Sequence, residues 1–460
     1  MTTISPAVSF ARDNGARFLN ELKELLRIPS VSTLPEHKED IERAATWVAD
    51  NLRRSGMEHV EIIPTAGHPL VYADWLRAPG KPTVLCYGHY DVQPADPLEE
   101  WTTPPFEPVE RDGSLYARGS TDDKGQMVMH LKALESLLKT GGGKLPVNVR
   151  VIIEGEEEVG GEGIEAYVKN HPERLACDVA VVSDTEMFAR GLPSLTVGLR
   201  GLCYTEIEAL GPATDLHSGS YGGAAPNPFF ALCQIIAKLK DNDGRILIPG
   251  FYDKVKEPTQ AELKAWESLP FDESEYLRNE VGSTALTGEP GYSVLYRTWA
   301  RPTLELHGMP GGFTGAGAKT VIPARASAKV SMRLVPDQEP QAIFKLFSDY
   351  VMSLCPKGIR LSIKELSAGE AVVVNTDNRF VQVAAAAMAD VYGKEAVFIR
   401  SGGSIPIVAS FQKHLKAPTL LMGFGLPDCA AHGPNEKFLI ENFHGGIESL
   451  IRLLERLGEE

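Results

Sequence analysis

Five short apolar runs without polar alternation recur along the chain: PTVLCYG (82–88), NVRVIIE (148–154), DVAVVSD (178–184), AVFIRSG (396–402) and APTLLMGFG (417–425). A strand with one face in water alternates, so a strand that is apolar on both sides has to be covered on both. Helical patterns fill the intervals. Phe18, Leu22, Leu25 and Leu26 mark a helix that ends before Pro29, and Ile41, Ala44, Ala45, Val48 and Leu52 share one face of a second. DKGQMVMHLKALESLLK follows Asp122, and a last helix carries Ile447, Leu450, Ile451, Leu454 and Leu457. This interleaving predicts an α/β fold, a mostly parallel sheet with helices on both faces.

The middle of the chain has another period. In ARASAKVSMRLV (324–335), Ala326, Ala328, Val330, Met332 and Leu334 face one way, and Ser327, Lys329, Ser331 and Arg333 the other. IRLSIKEL (359–366) alternates likewise, and PQAIFKLFSDYVMSL between them reads as an amphipathic helix. Another helix starts at PNPFFALCQIIAKL, with Asn227 as its cap and Pro228 in its first turn. Two helices on one face of an alternating sheet predict an α+β unit over 195–370, inserted between two parts of the first domain, 1–194 and 371–460. The stretch 244–312 reads as an elaboration of that insert.

At 460 residues the chain exceeds one ordinary core. Its net charge of −15 argues against nucleic acid or an anionic membrane as partner. No stretch approaches the ~20 apolar residues of a membrane span. The start, MTTISPAVSFARDNGARF, lacks the basic segment and apolar run of a signal peptide, and the six cysteines are scattered. Reduced thiols in a cytoplasmic protein are the expectation.

Sites in open α/β sheets form beyond the carboxyl ends of the strands. PTVLCYG leads into His89-Tyr90-Asp91, NVRVIIE into Glu156-Glu157-Glu158, DVAVVS into Asp184, and PTLLMGFG through a loop to His432, while Asp122 and Asp123 precede a helix. Singly, each has a plainer explanation: Asp-Asp suits a helix cap, and the glutamate run a solvated turn. Together, two imidazoles and several carboxylates at one sheet edge predict a divalent site, zinc being the natural occupant. His37, His59, His68, His130, His171, His307, His414 and His444 lack such a carboxylate context and read as structural or surface residues.

GHYDVQP, RGSTDDKG, EGEEEVG, VSDT, DLHSG and AHGPNE resemble, in order and spacing, the co-catalytic di-zinc family of carnosinases, cytosolic non-specific dipeptidases, aminoacylases and glutamate carboxypeptidases. The resemblance implies a zinc-peptidase-like catalytic domain and a ferredoxin-like lid and dimerisation domain. It implies two divalent ions per chain, zinc or else manganese or cobalt. Asp122 would bridge them, with His89 and Asp184 completing one site and Glu158 and His432 the other. Asp91 would accept the second imidazole N–H of His89, and the Asp122–Asp123 peptide would be cis. Glu157 would stay unligated as general base for water activated between the zinc ions, while Glu154 and Glu156 have no catalytic part.

From the insert, His217 would donate to the oxyanion across a homodimer. Arg333 would fork a substrate carboxylate, helped by Thr320, Ser404 and the amides of Gly402 and Gly403. Ser401 departs from the family, whose carnosinase-type members carry an acidic residue there, which bears on recognition of a substrate amine. The activity implied is hydrolysis of dipeptides or short peptides with a free C-terminus. The alternative is an aminoacylase-like or carbamoyl-amino-acid amidohydrolase using the same metals.

Overall fold

The computed structural model describes residues 4–459. The chain divides into two compact units, one of residues 1–197, 374–399 and 406–460, the other of residues 198–373 and 400–405.

Four strands make the parallel centre of the first unit, in the order Asn148–Glu154, Thr83–His89, Val179–Val182 and Thr419–Leu421. Leu70–Trp75 joins Asn148–Glu154 antiparallel on one side, and Ser194–Leu199 joins Thr419–Leu421 antiparallel on the other. Almost every residue of the four central strands is buried, as their unbroken apolar character requires. Alternate side chains serve opposite faces. Cys86 points into a small cavity shared with His130 and Leu450, and Tyr87 meets the edge of Phe411. The helices Lys124–Thr140 and Ile440–Glu459 pack on each other, so segments about 300 residues apart in sequence build one layer.

The helix Lys124–Thr140 begins tightly against the strand ends. A Cβ on Gly125 would lie 1.9 Å from the Ser120 carbonyl oxygen, so only glycine allows the turn before the helix to fold this closely. Asp123 stands at the cap position, yet its carboxylate accepts the backbone N–H of His89 (3.1 Å) instead of capping the helix.

The second unit is a four-stranded antiparallel sheet, ordered Thr303–Gly308, Arg325–Leu334, Gly201–Leu210, Arg360–Gly369. Cys203, Ile207, Ala326, Ala328, Val330, Met332 and Leu334 bury one face against the helices Pro228–Ile236 and Pro340–Ser353. Asn227 caps the first helix by accepting from Phe229 N–H at 2.9 Å. Two strands of this sheet escaped the sequence. Gly201–Leu210 is the centre of this sheet and alternates cleanly, but Gly201 and Thr205 occupy inward positions and hide the apolar period. The stretch 244–312 is more than an elaboration, because its end, Thr303–Gly308, is an edge strand. There only Leu304 is buried, so no alternation shows.

Candidate metal centre

His89 ends its strand fully buried, and its ring is fixed from both sides. Nδ1 lies 3.3 Å from Asp91 Oδ1, and Nε2 lies 3.1 Å from Asp122 Oδ1 and 3.9 Å from Asp184 Oδ2. The other oxygen of Asp122 faces His432 Nε2 at 2.9 Å, and the same nitrogen is 3.3 Å from Glu158 Oε2. Two donor groups result: His89, Asp122 and Asp184, then Asp122, Glu158 and His432, with the ligand atoms of each within 4.8 Å of one another. Asp122 belongs to both. The Asp122–Asp123 peptide is cis.

The local backbone explains this convergence. Glu158 lies in the 3-10 turn Glu157–Val159, directly after its strand, and Asp91 binds that turn by accepting the N–H groups of Glu157 (3.2 Å) and Glu158 (3.1 Å). One buried carboxylate thus orients an imidazole and the glutamate turn together. His432 comes from a loop in which Ala430, His432 and Asn435 take left-handed φ values of 56°, 62° and 61°. Non-glycine residues seldom adopt this region, and three of the seven that do so among the described residues cluster in this loop.

Glu157 belongs to neither donor group. The other two carboxylates of its run have structural partners: Glu154 accepts from Tyr87 Oη at 2.6 Å, and Glu156 accepts the N–H groups of His68 and Gly163. Burial raises the carboxyl of Asp122, but hydrogen bonds from His432 and His89 outweigh it and hold it well below the usual range. Hydrogen bonds to Asp122 and Glu158 push His432 up to about 10, against its burial. Burial pushes Glu157 up to about 7, opposed by His89 and reinforced by Glu158 and Asp122. Positive charge here is strongly favoured, and adjacent cations would draw Glu157 back toward the ionised form.

Sequence reasoning missed two residues at this centre. Glu436 is fully buried and accepts from Gly119 N–H (2.7 Å), Thr121 N–H (2.8 Å), Asp122 N–H (3.1 Å) and Arg118 Nη1 (2.8 Å). It fixes the backbone that presents Asp122. Gln93 donates to Glu158 Oε2 at 2.7 Å. Both sit inside motifs quoted above, AHGPNE and GHYDVQP, and that position was the available signal.

The remaining predicted residues lie in the second unit, with its short segment 400–405. His217 and Thr320 flank one two-stranded pairing, Leu216–His217 with Val321–Ile322. His217 is exposed and its Nδ1 accepts from Gly219 N–H (3.0 Å), while the Thr320 carbonyl accepts from Ser218 N–H (3.1 Å). Arg333 Nη1 donates to Ser404 Oγ at 2.9 Å. The Gly403 amide, expected to face a substrate, donates to Ser401 Oγ at 3.1 Å. A hydroxyl at 401 thus engages one of the two amides of that loop.

Residues 85–456 match the model of peptidase family M20/M25/M40. The chain belongs to this family. This M20 chain is 36% identical over 449 residues to the Cys-Gly metallodipeptidase dug1 of Schizosaccharomyces pombe, covering 94% of this chain and 93% of that one. It is 33% identical over 450 residues to the human Beta-Ala-His dipeptidase, covering 94% and 88%. The solved structure of the dipeptidase Dug1p of Saccharomyces cerevisiae superposes with a TM-score of 0.87 at 31% identity, covering 100% of this chain and 99% of that one.

Proposed function

We propose that this M20 chain hydrolyses the amide bond of dipeptides, or of very short peptides with a free C-terminal carboxylate, at a centre of two divalent cations, zinc by preference. The observation that carries this is the pair of donor groups sharing Asp122, with Glu157 beside them and outside both. The donors suit such ions. Glu158 Oε1 is buried without a hydrogen-bond partner, and three carboxylates with two imidazoles form a hard-to-borderline set that favours zinc. Bound there, the cations polarise the scissile carbonyl and lower the pKa of water.

The chain's own groups do the rest. Glu157 takes the proton of the attacking water at its carboxylate and delivers it to the leaving amine nitrogen. Asp91 holds the His89 ring and the Glu157 backbone in fixed orientation. Arg333, half-buried, forks the substrate's C-terminal carboxylate with Ser404. His217 donates to the developing oxyanion, supplied across a homodimer formed through the second unit. The reading places the enzyme in the cytoplasm, where its six unpaired cysteines stay reduced.

Elemental analysis with a substrate panel tests the proposal. Near two divalent ions per chain, activity on dipeptides that a chelator abolishes, and none on N-acetyl or N-carbamoyl amino acids are the expected results. Preference for an N-acyl or N-carbamoyl amino acid would overturn the dipeptide assignment.

A further inference from the structure

Beside the Arg333–Ser404 pair stands a second guanidinium that forms no ion pair among the described residues. Leu202 is the cross-strand partner of Arg333, and Arg200 is the residue immediately before that strand, Gly201–Leu210. Arg200 Nε donates to the Gly402 carbonyl at 3.1 Å, and its backbone N–H donates to the Gly403 carbonyl at 3.1 Å. Its own carbonyl accepts the Ser404 hydroxyl, which in turn accepts from Arg333 Nη1. The loop 402–404 is therefore held between two arginines. Gly402 permits this, because a Cβ there would lie 2.8 Å from Arg200 Nη2.

Nη1 of Arg200 is buried without a hydrogen-bond partner, and neither arginine forms an ion pair among the described residues. Other well-buried guanidiniums of the chain are matched: Arg118 with Glu436, Arg301 with Glu289, Arg400 with Glu262. Burial pushes Arg200 down to about 10, Arg333 adds to the effect, and Glu305 and Tyr276 oppose it only in part. Two unpaired cations at one loop work against the folded state. Such local conflict is the mark of a site arranged for an anionic ligand.

We propose that Arg200 is a positioning residue for the substrate's C-terminal carboxylate, holding the loop 402–404 in register with Arg333 and keeping a second positive charge beside it. The proposal rests on the reading that Arg333 and Ser404 receive that carboxylate. It adds a residue no motif had suggested, and it explains why the loop tolerates an unbalanced charge.

The test compares Arg200→Met and Arg200→Lys with the unaltered holoenzyme on alanyl-alanine and on alanyl-alanine amide. Arg200→Met should raise KM for the free acid about 10–30-fold, with kcat within about threefold and the amide within about twofold. Its melting temperature should hold or rise, because an unpaired buried charge is removed. Arg200→Lys keeps the charge without the planar fork, so it should recover part of the KM loss. Equal effects on acid and amide with a lowered melting temperature would make Arg200 structural and overturn the proposal, as would unchanged kinetics. Should Arg200→Met fail to fold, Arg200→Lys decides alone: a KM rise confined to the acid supports, an equal change on both overturns. If the unaltered enzyme does not distinguish acid from amide, the carboxylate reading falls and takes this proposal with it. An acid preference lost in Arg333→Lys but kept in Arg200→Met removes only Arg200.

Discussion

Replacing Glu436 by glutamine tests how far the metal centre depends on a residue that touches no ligand atom. Its two oxygens accept four hydrogen bonds, three from the backbone of residues 119–122 and one from the Arg118 guanidinium, itself 1% exposed. Alanine would leave all four donors buried and unmatched, on the order of 3–5 kcal/mol for the broken ion pair alone. That approaches the whole stability of many domains, about 5–15 kcal/mol. Glutamine keeps the shape and one carbonyl oxygen but turns an amide N–H₂ toward donors, and it strands the Arg118 charge. A loss of about 2–4 kcal/mol follows. Because Asp122 N–H is among the freed donors, the shared carboxylate should shift, weakening divalent binding by roughly 10–100-fold. Urea unfolding of the metal-stripped protein reads the first number, and competition with a chromophoric chelator reads the second. A Glu436→Gln protein with the same unfolding midpoint and metal affinity as its parent would refute the reasoning.

Three further outcomes are expected. Glu157→Ala should lower kcat by at least ~10²–10⁴-fold while elemental analysis still finds near two metals per chain; a lost metal with retained activity would exchange the roles of Glu157 and Glu158. Arg333→Lys should cut kcat/KM on free dipeptides roughly 30–150-fold and leave the corresponding amides nearly unchanged, since lysine keeps the charge but not the fork. Sedimentation at assay concentration should show a homodimer, and a fully active monomer would count against assembly through the second unit.

Much of this architecture is legible in the sequence because burial on both faces leaves a plain record. Val149, Val151, Ile152 and Ile153 cannot be mistaken for a half-exposed strand. The residues that meet at the centre were legible for a related reason, since parallel strands all end on one side. What escaped was positional. Glu436 and Arg200 act through backbone groups close in space and far in sequence; Glu436 at least ends the AHGPNE motif, whereas nothing in the neighbours of Arg200 records its contacts. The inward Gly201 and Thr205 carry too little apolar surface to declare a strand.

The strand order also bears on how the protein is made. Thr419–Leu421 lies between Val179–Val182 and Ser194–Leu199, so a nascent chain must wait through roughly 240 residues after Val182 before that slot can be filled. At about 5–20 residues per second, the ribosome takes roughly 10–50 s to deliver it. Throughout that interval Val179–Val182 presents a bare apolar edge, the kind of surface that recruits another chain's strand. His432 emerges later still. The growing polypeptide therefore carries four of the five side chains of the two donor groups without the fifth, and its bare edge persists until the centre can close.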